Sequence, residues 1–375
     1  MDEEATVRYA CQHPKMSGKD VANATKTKMT KNAIDMARKR KLDREKDAFD
    51  LKNIIEGRKH HLLANDGDKI LIFGDDSALQ RLAATPLIHA DGTFKCVLNG
   101  FSQLYIFHAT VENNVAVPVL FCLVSGKKKR TYVTLLAMVE KLAVDAGLTV
   151  FGREVTLMCD FELAFVKAVR SHYRSVVVKC CLFHFTQNVR KHAAPIVTEI
   201  KKTAGEKNDE MRMAEKTKRR IMMLPLLPEE LATPAVVDLI DRAWADAVPR
   251  RQRTFRPLVA TVLSTYVGTP PTPDAPARTP RFPPHLWSVS AMSVRTNNAA
   301  ESVHAQLNPK VSGRLSVANF VAIIDEAMKA ANDRVAAGCQ SESRAVGRRK
   351  RWKDMKLQGH WIAGTWDRIY FYGPM

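Results

Sequence analysis

Three acidic residues stand far apart in the chain, each where one kind of element gives way to another. They are Asp91 in Asp91-Gly92-Thr93-Phe94, Asp160 in Asp160-Phe161-Glu162, and Glu301 at the end of Asn297-Asn298-Ala299-Ala300-Glu301. Carboxylates brought together repel one another and lose solvation unless cations neutralise them. Two divalent ions roughly 3.5–4 Å apart would do so, and such a pair drives in-line attack on a phosphodiester. The chain around these acids carries a formal net charge of +19 over 375 residues. An excess of that size calls for a polyanionic partner, and nucleic acid is the polyanion that two-metal chemistry cuts.

Each acid has a plain structural reading beside the catalytic one. Asp91 could be an exposed strand carboxylate, although Asp is disfavoured in strands. Asp160 falls where a strand turns into a helix, the preferred place for an N-cap. It falls equally at the carboxyl end of a strand, where α/β sheets bind ligands. Glu162 could cap as well, or support the site from behind. Asn298 and Glu301 have the spacing of a capping box. Against that, Glu301, His304 and Asn308 share one side of their helix while Val303 and Leu307 take the other, which gives a polar stripe suited to ligation. Cys181-Leu182-Phe183-His184 has metal-ligand spacing but is half of a zinc site. A buried Cys and a surface His would have the same spacing, and His285 and His304 are the partners that could complete a Zn²⁺ site.

The elements that must position these residues can be read from periodicity. From Leu87 to Leu98, Ile88, Ala90, Gly92, Phe94, Cys96 and Leu98 alternate with His89, Asp91, Thr93 and Lys95. This predicts a half-buried strand with Asp91 on its polar face. Two strands at hairpin spacing follow, 102–111 and 117–124, then a helix with Tyr132, Leu135, Leu136, Val139 and Leu142 on one stripe. A fourth strand, 155–159, ends at Asp160, and a helix leads to a fifth, 175–181. Three meandering strands, a helix, then two strands joined by a helix is the order of a ribonuclease-H-like α/β fold. That fold has a mixed five-stranded sheet with flanking helices, and it sets Asp91 beside Asp160.

Around this core the expected organisation is as follows. Residues 1–31 read as a polar basic tail, 32–85 as a helical segment holding a short strand at Ile70-Leu71-Ile72-Phe73, and 86–194 as the first part of the core. Residues 195–294 read as an all-helical insertion, broken by Leu224-Pro225-Leu226-Leu227-Pro228 and ending in a stiff Pro-rich linker. Residues 295–340 return to the core, and 341–375 form a basic, aromatic C-terminus.

Basic runs recur along the chain: Lys127, Lys128, Lys129 and Arg130; Arg250, Arg251 and Arg253; Arg348, Arg349, Lys350 and Arg351. Together they suggest phosphate-contacting surfaces, and the last run also passes as a nuclear-import signal. The seven cysteines are an odd number scattered through apolar runs, which reads as a reduced chain and not a disulfide framework. The longest apolar stretch, 115–124, is too short to span a bilayer.

These motifs resemble the transposase core of the Mutator-like (MULE) superfamily over about residues 70–335. The resemblance rests on Asp91-Gly92-Thr93-Phe94-Lys95, Phe101-Ser102-Gln103-Leu104-Tyr105, Asp160-Phe161-Glu162, the Cys181-Leu182-Phe183-His184-Phe185 signature, and Arg295-Thr296-Asn297-Asn298 through Glu301 and His304. It implies that Asp91, Asp160 and Glu301 are a DDE triad holding two Mg²⁺ or Mn²⁺ ions. It also implies nuclear cutting of double-stranded DNA at element ends and strand transfer to a target, by a homo-oligomer assembled on DNA. Full-length members often carry an N-terminal zinc-finger module, of which Cys11-Gln12-His13 would be a remnant. Two other readings stay open at this point: a transposase-derived DNA-binding or regulatory protein, and a stand-alone nuclease of the same fold.

Overall fold

The computed structural model describes residues 2–39, 41, 70–204, 209–233, 257–268, 276–307 and 315–338. At its centre is one mixed sheet of six strands: β1 (Ile70–Phe73), β2 (Leu87–Thr93), β3 (Gln103–Val111), β4 (Val115–Val124), β5 (Val155–Cys159) and β6 (Val176–Cys180). Their spatial order is β1-β4-β3-β2-β5-β6. The pairs from β1 to β2 are antiparallel, and β2-β5 and β5-β6 are parallel. The expected five strands are all present. The sixth is β1, which the sequence shows only as four apolar residues and which lies along β4, its Ile70 opposite Val124.

The longer described helices are α1 (Glu3–Gln12), α2 (Gly18–Thr25), α3 (Asp76–Ala84), α4 (Lys129–Asp145), α5 (Leu163–His172), α6 (Leu182–Ala204), α7 (Asp209–Met223), α8 (Asn298–Leu307) and α9 (Val317–Ala336). The sheet is buried on both faces along β1, β3 and β4, while at the β6 edge Val177 is exposed. One face, with Ile88, Ala90, Tyr105, Phe107, Leu157 and Val178, packs against Leu79 and Leu82 of α3, Tyr132 and Leu136 of α4, and Phe165 of α5. The other face, with Leu71, Phe73, Leu104, Ile106, Phe121 and Leu123, packs against Leu307 of α8 and Val317, Phe320, Val321 and Ile324 of α9. That double cover explains why β4 reads as an unbroken apolar run, since each of its ten residues is buried.

Three expectations need correction. The strand expected to reach Leu98 stops at Thr93, because Cys96 and Leu98 turn into the second core while Phe94 and Lys95 face solvent. The stretch read as a tail is helical. Asp2 caps α1 through Ala5 N–H, Ser17 caps α2 through Asp20 N–H, and Ala10, Val21 and Ile34 pack together, Ile34 from a helical run over 31–39. One buried apolar side chain per helix is too sparse to show as a period. The far end of the Pro-rich run is not a spacer. Arg281 N–H and Phe282 N–H donate to Ser264 O and Thr265 O, at 3.1 and 2.7 Å. Trp287, wholly buried, donates its indole N–H to Tyr266 O and Phe282 O at 3.0 and 2.9 Å.

Candidate active site

Strands β2 and β5 run parallel, with Ala90 opposite Cys159. One step further along each chain come Asp91 and Asp160, so the two residues sit on neighbouring strands whose backbones run about 4.8 Å apart. Asp91 is 4% exposed, and its Oδ1 accepts the Gly92 N–H at 2.9 Å. The polar face of β2 is therefore not open to water, as the alternation suggested, because α8 lies across it. Gly92 has a physical reason to be glycine: a Cβ there would stand 3.0 Å from Gln103 Oε1 and 3.2 Å from the Tyr105 ring.

The capping reading fails for Asp160. Helix α5 begins two residues too late, at Leu163, with Glu162 in the N-cap place and no side-chain cap bond. Asp160 Oδ1 instead accepts the Glu162 N–H at 3.2 Å. Burial pushes the Asp160 carboxyl up to about 6, against the opposing pull of that N–H and of the Lys127 charge. Glu162 is raised too, by burial and by the charge of Asp160, while the Tyr132 hydroxyl and Lys127 oppose the shift. Tyr132 Oη donates to Glu162 Oε1 at 2.5 Å and accepts from Gln103 Nε2 at 2.5 Å. Glu162 thus belongs to the site, aimed by a tyrosine whose place on an apolar stripe marked it only as core.

The third motif arrives from more than a hundred residues away. Its helix α8 packs over β2 and β4, and His304 Nδ1 lies 3.6 Å from Asp91 Oδ2. Burial, with the nearby His184, pushes His304 down to about 4, so at neutral pH this contact joins a carboxylate to a neutral ring and is not an ion pair. Glu301 sits three residues before His304, on the same side of the helix and nearer its start. Its side chain lies outside the described ones. The helix begins at Asn298, which puts Asn298 inside the first turn and takes Glu301 out of the capping-box register.

Cys181 is wholly buried, and its Sγ accepts the Asn297 N–H at 3.1 Å. One residue on, Leu182 N–H donates to Arg295 O at 3.1 Å. The Cys-x-x-His segment therefore anchors the third motif to the end of β6. Around it lies a set of histidines. His89 and His108 are register partners on β2 and β3, both buried. Burial pushes His89 down to about 4, with Asn297 opposing, and holds His108 well below the usual imidazole range, helped by His89 and His304. His285 sits elsewhere, its backbone O accepting from Lys179 Nζ at 2.8 Å and its charged neighbours being Arg170, Glu229 and Lys179. Among the described residues no group of three or more His, Cys, Asp or Glu side chains is arranged to hold a metal.

Of the basic runs, Lys127 to Arg130 is placed at the site. Lys128 is the N-cap of α4 with no side-chain cap bond, and the first turn holds Lys129 and Arg130 with no acid. Cations at a helix start oppose the macrodipole, an arrangement that an anionic ligand would relieve. Lys127 Nζ stands 3.5 Å above the centre of the Phe94 ring. Arg250, Arg251, Arg253 and Arg348, Arg349, Lys350 and Arg351 lie outside the described residues. No described helix is long and apolar enough to cross a membrane.

Residues 87–188 match the MULE transposase domain. The span opens on the first residue of β2, closes within α6, and holds Asp91, Asp160, Glu162, Cys181 and His184. This match supports assigning the segment to the Mutator-like element transposase family, and a transposase domain implies interaction with DNA. A comparison with curated proteins gave no match.

Proposed function

We propose that the chain is a DDE transposase that cleaves DNA and transfers the freed strand in a metal-dependent reaction, with Asp91, Asp160 and Glu301 as its catalytic acids. The observation that carries this reading is the pair Asp91 and Asp160 at adjacent strand ends, with the Asp160 carboxyl lifted to about 6 by burial. A carboxylate held out of water, with a second acid on the adjacent strand, is a place that a cation would stabilise. Its donors are hard carboxylate oxygens, which fit Mg²⁺ or Mn²⁺. The order β4-β3-β2-β5-β6 supports a ribonuclease-H-like core, to which β1 adds an edge.

In this reading Asp91, Asp160 and Glu301 would together hold the two divalent ions. The bound ions supply a lowered pKa for the attacking water or 3′-hydroxyl and stabilise the leaving oxygen. Glu162, clamped by Tyr132, fixes the loop that carries Asp160. Lys127 and the run after it take the DNA backbone. Cys181 and Leu182 pin the third motif to the sheet, a role that requires no zinc. The protein works in the nucleus as a homo-oligomer on element ends.

The test is nicking and strand transfer by the full chain on DNA bearing its flanking genomic repeats, in Mg²⁺ and in EDTA. Asp91→Asn is expected to abolish strand cleavage and to leave DNA binding intact or tighter, since one repulsive charge is gone. Metal-independent cleavage, or an Asp91→Asn protein that cuts as well as the unaltered one, would overturn the assignment. Tight DNA binding by the unaltered chain without any cleavage would favour the transposase-derived binding protein instead.

A further inference from the structure

Phe94 is out of place. By alternation it belongs with Gly92 and Cys96 on the buried side of a strand, yet the strand ends at Thr93 and the ring is 58% exposed. Among the described residues the exposed large hydrophobic side chains are Met36, Phe94, Val144 and Val177, so Phe94 is the aromatic one. It stands three residues beyond Asp91, at the mouth of the site. Lys127 covers one face of its ring at 3.5 Å, and the same Lys127 charge acts on both Asp160 and Glu162. Nothing in the packing requires this exposure, because Cys96 and Leu98 already anchor the segment in the core.

We infer that Phe94 is a stacking platform for an unpaired nucleobase at the DNA end being processed, with Lys127 holding the adjoining phosphate. This rests on the DNA-cutting reading above and adds a ligand subsite to it. A flat π surface beside a cation and next to metal-binding carboxylates matches a single-stranded nucleotide better than a paired one. A base has a π face to offer only once it is unstacked, and every base offers one. Cation and base can share the ring, one on each face. The consequence is that the chain grips a frayed or overhanging end next to the scissile phosphate, without regard to which base it holds.

The experiment uses the full chain with Ca²⁺ in place of Mg²⁺ and short duplexes carrying 2-aminopurine in a single-stranded overhang or in a fully paired position. The overhang probe is expected to be quenched on binding and the paired probe much less so. Phe94→Ala should lose the quenching and weaken overhang binding about 5-fold or more, given about 1–3 kcal/mol per stacked base. Phe94→Trp should retain both. Phe94→Leu, which keeps apolar bulk without a π face, should behave like Phe94→Ala. Unchanged quenching and affinity in Phe94→Ala, or full retention in Phe94→Leu, would overturn the platform. The two readings fail separately: Asp91→Asn that still cuts would sink the catalytic assignment, while Phe94→Ala with unaltered overhang binding sinks only the platform.

Discussion

Asp160→Asn should make the metal-free protein more stable while removing its activity. The Asp160 carboxyl has its pKa lifted from an ordinary value near 3.8 to about 6 in the folded chain. Below pH about 4 it is protonated whether the chain is folded or not, and contributes nothing. Between about 4 and 6 the folded state holds a proton that the unfolded state has released, so stability falls as pH rises. Above about 6 both states are ionised and the loss levels off. At about 1.4 kcal/mol per pKa unit, a shift of about 2 units amounts to a penalty of roughly 3 kcal/mol at pH 7. Asn is the same shape, is never charged, and its Oδ1 can still accept the Glu162 N–H. The substituted protein should therefore unfold about 4 °C higher at pH 7 without divalent metal, and match the unaltered protein near pH 4. Mg²⁺ should raise the melting temperature of the unaltered protein and barely move that of Asp160→Asn, because an ion that binds only the folded state stabilises it by mass action. Thermal unfolding from pH 4 to 8, with and without Mg²⁺, reads both effects. The buried histidines add a slope of their own, but it is common to the two proteins and cancels in the difference. An Asp160→Asn protein that is less stable at pH 7, with the same pH dependence as the unaltered chain, would refute the claim that this carboxylate is held at an energetic cost.

Tyr132→Phe should slow cleavage about 10-fold or more and lower stability by about 1.5–3 kcal/mol, since it leaves Glu162 and Gln103 without their shared partner; unaltered turnover per folded molecule would show that Glu162 needs no aiming. Cys181→Ala should destabilise by about 1–3 kcal/mol through the lost sulfur contact to Asn297 N–H, and metal analysis of the unaltered chain should find no stoichiometric zinc; stoichiometric zinc that disappears with Cys181→Ala would show that the pair is a metal site after all. DNA affinity should fall steeply with salt, about 10³–10⁵ between 50 and 200 mM if roughly 6–10 phosphates are neutralised; a shallow slope with strong preference for one duplex sequence would point to base reading.

The strands around the site were legible because each is an apolar alternation or a short apolar run bounded by polar turns. What the sequence hid was the cover. Alternation along β2 separates Asp91 from the apolar side, but it cannot say that a helix two hundred residues later will close over the polar side and bury His89, Asp91 and Thr93. Glu162 was ambiguous for a similar reason. Its partner Tyr132 reads as core, and only the packed structure shows the hydroxyl reaching out of that core to the carboxylate. Phe94 was misplaced because periodicity extends a strand until a breaker stops it, and Lys95 is not a breaker. Glu301 rests on its motif and on its place along α8, next to the His304 contact with Asp91.

The family-matched stretch 87–188 does not hold everything its own sheet needs. Strand β1, which flanks β4, is made before it, and α8 and α9, which cover Leu104, Ile106, Phe121 and Leu123, are made more than a hundred residues after it. Until those helices emerge, a growing chain carries a broad apolar sheet face open to water, the kind of surface that drives misassembly. A copy truncated anywhere in the long excursion before Arg295 would keep Asp91 and Asp160 yet lack the lid that makes their surface soluble. Loss of the C-terminal helices should therefore yield an aggregating or degraded product, not a weakened enzyme. Solubility and the completeness of the proposed catalytic set are thereby tied to the same late helices, α8 and α9.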